Sequence, residues 1–142
     1  NAGAVGSLPF FNGIEEHQLL TQSSLYVLEN TLDNTGAHGR QIYSSTEYWI
    51  IEESVIDNWV YSAAQGLAYA AQCAMSLLDI DGAIIDGALP KSVKTRLVEQ
   101  TKNEIAKRDM RGITSPRIIE GIVGAKAQSI GSANLPLVAN YY

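Results

Sequence analysis

Between Glu53 and Leu78 apolar side chains return every three or four positions: Ile56, Trp59, Val60, Ala63, Leu67, Ala70, Ala74, Leu77 and Leu78. That spacing is the period of an α-helix with one face turned to a core, and it predicts a helix over 53–78. Ala63, Ala64, Gly66, Ala68, Ala70 and Ala71 are small. Other elements can therefore approach this helix closely, and it is expected to be central to the fold. The run Asn58 to Leu78 carries no charged residue and has the length of a membrane span. Asn58, Ser62, Gln65, Gln72 and Ser76 interrupt it, and Ala dominates, which favours a buried core helix.

The same pattern predicts the other elements. Leu19, Leu20, Ser23, Val27, Asn30 and Thr31 fall near one helical face, giving a first helix over about 15–33, with Glu15 and Glu16 in its first turn. "DNTGAHG", 33–39, is a stop and loop. Residues 40–52 are ambiguous: "QIYSS" reads as a short strand, and "TEYWIIEES" as a helical turn or an insertion. Ala83-Ile84-Ile85 is a short apolar run without alternation, as in a parallel strand buried on both faces, and places a strand over about 82–87. After Pro90, Val93, Leu97, Val98 and Ile105 face inward on a charged helix over 91–108. Lys91, Lys94, Arg96, Glu99, Lys102, Glu104 and Lys107 mostly form its solvated side. "PRIIEGIV", 116–123, is a second strand, and 124–135 a last helix. This alternation is that of an α/β fold with parallel strands. With so few strands, a segment upstream is expected to complete the sheet.

Composition narrows the function classes. The 142 residues amount to one domain, with 46% apolar and 18% charged residues, so the chain is not disordered by composition. A net charge of −5 argues against direct binding of duplex nucleic acid. The one cysteine, Cys73, allows no internal disulfide and no cysteine metal framework, and it sits in an apolar helical run as a small hydrophobe would. It suggests a reducing, cytoplasmic setting. No signal peptide is visible. His17 and His38 lie on different elements without a Cys/His cluster, so no metal site is expected.

Neither a Gly-x-Ser-x-Gly elbow nor a Walker-type phosphate loop occurs. "GAVGS", 3–7, is a Gly-rich turn. Two strand ends rhyme: Asp86-Gly87 and Glu120-Gly121 each place an acid and a glycine after an Ile-rich run. Ligands of open α/β sheets gather at the carboxyl ends of strands. Asp86 thus has two readings, a ligand contact or a turn acid that caps the helix after Pro90. Glu120 has the same two. Glu29, mid-helix in "YVLEN", is by spacing an ordinary solvated glutamate.

Taken together, "NAGAVGSLPF", "LYVLENTL", "DIDGAIIDGALPKSVKTRLVEQT" and "RIIEGIVGAKAQSIGSANLPL" resemble the C-terminal lobe of ROK proteins (repressors, open reading frames, kinases). The resemblance implies an actin-like, ribonuclease-H-like fold, helix-rich with a small and mainly parallel sheet and a ligand cleft between two lobes. The whole chain, 1–142, would be one domain, with the partner lobe and any DNA-binding domain outside it. ROK kinases carry Gly-Glu-x-Gly-His where this chain reads Gly3-Ala4-Val5-Gly6-Ser7. The family's sugar-contacting glutamate would be Ala4 and its histidine Ser7. The cysteine-rich zinc motif is gone, and only its last acid survives, as Glu29. The kinase strand end Ile-Gly-Gly-Gly is here Ile85-Asp86-Gly87-Ala88, so an acid stands where the nucleotide would approach the backbone.

The resemblance therefore implies the sugar-sensing and dimerisation portion of a ROK-type transcriptional regulator. It implies no catalytic residue, metal or cofactor in this chain. Its ligand-binding positions would be Ala4, Ser7, Glu29, Asp86 and Gly87. Its partners would be a sugar-like small molecule and a second copy of the chain. DNA would be reached only through a domain outside the chain, and no membrane partner is implied. The competing readings are the C-terminal lobe of an ATP-dependent ROK sugar kinase and an unliganded scaffold.

Overall fold

The computed structural model describes residues 5–78, 80–112 and 115–126. A single 3-10 turn, Val5–Ser7, leads into a β-hairpin of β1 (Pro9–Phe11) and β2 (Glu16–Gln18), paired antiparallel with Phe10 opposite His17. Helices α1 (Leu19–Ser23) and α2 (Leu25–Asn34) follow, then 3-10 turns at Gly39–Tyr43 and Thr46–Tyr48. The long helix α3 (Glu53–Leu78), strand β3 (Gly82–Ile85), helix α4 (Lys91–Ala106) and strand β4 (Arg117–Glu120) complete the core, and Gly124–Lys126 forms a last 3-10 turn.

Helix α3 has the boundaries that its periodicity predicts. Its buried face runs from Ile56, Trp59, Val60 and Ala63 through Ala64, Gly66, Ala68, Ala71 and Met75. The expected stripe does not continue to its end: Leu77 is 80% exposed and Leu78 is exposed too. The face drifts because α4 and β4 pack on the Ala68 and Ala71 side. Small residues do allow the close approach expected of them. A Cβ on Gly66 would run into the Ser23 hydroxyl of α1, and Gln22 of α1 donates to Ser62 Oγ at 2.8 Å.

Two apolar clusters line α3. One joins Leu28, Leu32, Ile42, Trp49, Trp59, Val60, Val93 and Leu97; the other joins Ala68, Ala71, Val98, Ile105 and Ile118. The four positions expected to face inward on α4 are all buried. So are Lys94 and Glu104, which the charge pattern assigns to the solvated side.

The expected first helix over 15–33 is corrected at both its start and its middle. Asn12 Oδ1 accepts from the backbone N–H of Ile14 (2.9 Å) and Glu15 (3.0 Å), and Gly13 adopts φ +99°. This Asn-Gly turn closes the hairpin, so Glu16 lies in a strand and not in a helical first turn. The helix then breaks at Ser24, whose backbone is extended (φ −81°, ψ 157°). At the break the Ser24 carbonyl accepts from Val27 N at 3.2 Å and also from the indole N–H of Trp59 at 3.1 Å. Adjacent serines, whose hydroxyls compete with helical hydrogen bonds, make Ser23-Ser24 a weak point. The expected strand in "QIYSS" is instead part of the Gly39–Tyr43 turn, pinned by Trp49 Nε1 donating to the Ile42 carbonyl at 3.0 Å.

Strands β3 and β4 are parallel, with Ile84 opposite Ile119, and α4 is the crossover between them. The expectation that β3 is buried on both faces fails. Ile84 is 68% exposed, because among the described residues α3 and α4 cover only the face that carries Ala83, Ile85 and Ile118. The strands are shorter than the predicted 82–87 and 116–123. Of the predicted last helix, 124–135, the part from 127 on lies outside the described residues.

Candidate functional site

The ends of β3 and β4 are joined by one side chain. Asp86, the residue after β3, turns its carboxylate across to the loop after β4. Oδ2 accepts from Val123 N at 2.9 Å and from Gly124 N at 3.0 Å, while Oδ1 accepts from its neighbour Gly87 N at 2.8 Å. From α4, Lys94 Nζ donates to Asp86 Oδ1 at 2.8 Å and to the Gly121 carbonyl at 3.0 Å. The side chains of Lys94 and Asp86 are 9% and 21% exposed. A paired and hydrogen-bonded carboxylate is stabilised in its charged form. The Lys94 hydrogen bond first, then the N–H groups of Gly124, Gly87 and Val123, hold the Asp86 carboxyl well below the usual carboxylate range, against a smaller opposing effect of burial.

The rhyme between the two strand ends has a steric basis. A Cβ on Gly121 would fall 2.5 Å from Asp86 Cγ and 2.7 Å from Oδ2, so the glycine after β4 makes room for the acid after β3. Gly87 is different: a Cβ there would meet only Leu89 Cγ at 3.8 Å. Gly124, which adopts φ +57°, donates its N–H to the carboxylate. The capping reading of Asp86 is corrected. Pro90 is the N-cap of α4 and receives no side-chain cap, because the Asp86 oxygens are committed to the clamp. Glu120 accepts from Thr95 Oγ1 at 2.8 Å, which ties the end of β4 to α4.

The other expected positions lie elsewhere. Glu29 is on α2, half-buried, and accepts from the Tyr43 hydroxyl at 3.1 Å. Burial, then that hydrogen bond, pushes the Tyr43 hydroxyl above its ordinary pKa. A Cβ on Gly39 would strike the Glu29 carbonyl, so this part of α2 is also tied to the following turn through its backbone. Ser7 is exposed at the end of the first 3-10 turn. Ala4 lies outside the described residues. The structure brings Asp86 and Gly87 together, and no hydrogen bond or ion pair among the described residues joins them to Glu29 or Ser7.

Sequence reasoning missed Lys94, Val123 and Gly124, the partners of Asp86. Only Lys94 left a signal, as a lysine in the first turn of the helix that follows the acid. It also missed a cleft of about 570 Å³ between the hairpin and the α3–α4 pair, lined by Phe10, Phe11, Glu16, Tyr69, Glu104 and Arg108 among others. Arg108 lies over the Tyr69 ring at 5.7 Å and donates to the Gln65 carbonyl at 3.1 Å. The signal that could have pointed to it is Asn12-Gly13, a turn pair that lines the cleft.

Among the described residues no group of three or more His, Cys, Asp or Glu side chains could hold a metal ion. Nor is any helix among them long and apolar enough to cross a membrane.

No protein-family model matches the sequence, and no curated protein matches it significantly. A solved structure does. The ROK hexokinase from Thermus thermophilus superposes with a TM-score of 0.60 at 16% identity, over 94% of this chain and 48% of the hexokinase. The chain spans about half the length of that protein. Helix-rich and built on a small parallel sheet, it has the actin-like fold of the part of a ROK hexokinase that it overlays.

Proposed function

We propose that this chain is the sugar-sensing and dimerisation portion of a ROK-type transcriptional regulator. The observation that carries the reading is the Asp86 clamp. At the strand end where a ROK kinase would present glycines to a nucleotide, the backbone N–H groups of Gly87, Val123 and Gly124 are already bonded to a carboxylate. That carboxylate also repels phosphate oxygens. A sugar or sugar derivative would be met by Glu29, Ala4 and Ser7. Sugar binding would shift an equilibrium between lobe arrangements and so reorient a DNA-binding domain outside this chain.

A second reading, the C-terminal lobe of a sugar kinase, is favoured by the likeness to a hexokinase. It requires Mg-ATP to reach the strand end despite Asp86. The experiment is thermal unfolding of the full natural polypeptide with a panel of sugars, amino sugars, sugar phosphates and polyols. A ligand that binds only the folded state raises the midpoint by mass action. The regulator reading predicts a rise with at least one sugar, which should then alter binding of the polypeptide to operator DNA. No rise with any of them favours the unliganded scaffold.

A further inference from the structure

Four donors converge on Asp86: three backbone N–H groups and one ammonium, within 2.8 to 3.1 Å of its two oxygens. Val123 and Gly124 offer successive N–H groups to the same carboxylate, and Gly124 itself turns the chain at φ +57°. Successive N–H groups in such a turn, backed by a lysine, form a concavity for anions, and the donor set suits the oxygens of a phosphate as well as those of a carboxylate. Lys94, the charged member, is 7% exposed, so its positive charge is built into the fold rather than displayed on the surface.

We propose that these donors form an oxyanion-binding site whose resident ligand is the chain's own Asp86 carboxylate, and that a phosphate group occupies the site once that carboxylate is removed. Tethered beside the site, Asp86 competes at a high effective concentration, so free phosphate does not displace it. The site is therefore self-occupied, and a phosphate-bearing ligand enters only by displacing Asp86. This goes beyond the sugar-sensing reading. It shares Asp86 with that reading, but its test uses neither sugar nor nucleotide, so the two fail separately.

The test compares thermal unfolding of the wild-type polypeptide, Asp86→Ala and Asp86→Asn in inorganic phosphate at constant ionic strength. Wild type sets the general stabilisation that excluded salts give. Asp86→Asn keeps a side chain of the same shape in the site. The expected result is a saturable rise confined to Asp86→Ala, of about 5 °C or more at phosphate roughly 100-fold above its dissociation constant. Adding Lys94→Met to Asp86→Ala should abolish the rise. Equal phosphate responses in the three proteins would overturn the proposal. So would an Asp86→Ala protein that stays unfolded in about 100 mM phosphate, because a refillable site should recover stability there.

Discussion

Lys94 and Asp86 meet at 2.8 Å between the first turn of α4 and the end of β3, and Lys94 also holds the Gly121 carbonyl beyond β4. One buried ammonium thus ties the crossover helix to both strands that it connects. Removing it strands a carboxylate that was paired, which is the costly way to break such a pair. Lys94→Met should lower the unfolding midpoint by more than about 5 °C, whereas Lys91→Met, at an exposed position, should move it by less than about 1 °C. Circular dichroism melts of the two variants check this.

Gly121 has no room for a side chain, and Gly87 has. Gly121→Ala must push the Asp86 side chain out of the clamp or bend the loop after β4. A loss of about 1 to 3 kcal/mol is expected. Gly87→Ala should stay within about 0.5 kcal/mol of wild type. Urea unfolding of both variants measures the contrast, and equal losses would show that the clamp is not packed as described.

The clamp also sets an acid limb. The Asp86 carboxyl titrates well below the ordinary value in the folded chain, pulled down mainly by Lys94. In the unfolded chain it returns to about 3.9. Its contribution to stability is therefore complete above the unfolded value and is lost as pH falls through the folded one. The gap in midpoint between wild type and Asp86→Asn should be constant from about pH 7 to pH 5 and shrink progressively below that. A gap that is independent of pH down to about 2 would contradict this assignment.

Trp59 links the break in the first helical region to α3 through its bond to the Ser24 carbonyl. Trp59→Phe keeps an aromatic ring beside Trp49 but leaves that carbonyl without its indole partner. A loss of about 1 to 2 kcal/mol in urea unfolding is expected. A neutral effect would mean that the Ser24 carbonyl gains little from this bond.

What was legible in the sequence was whatever one short segment decides for itself. Helix α3 announces itself through its repeat, α4 through Pro90 and its inward positions, and the parallel strands through their apolar runs. The hairpin was missed because Glu15 and Glu16 look like a helix start, while Asn12-Gly13, the stronger turn signal, stood just before them. The charge pattern assigns Lys94 to solvent, because charge along a helix usually is solvated. Only the fold brings it beside an acid eight residues earlier and a carbonyl just past another strand. Asp86 and Gly87 could be singled out by their place at a strand end. What they bond to could not, since Val123 and Gly124 are backbone donors whose sequence carries no trace of the contact.

With the Asp86 clamp in place, this strand end is expected to be closed to nucleotides. Isothermal titration of the full natural polypeptide with Mg-ATP, with and without a stabilising sugar, tests it most directly. No saturable heat is expected, with any dissociation constant weaker than about 1 mM. A dissociation constant in the micromolar range, lost without Mg²⁺, would contradict it and make the kinase reading the better one.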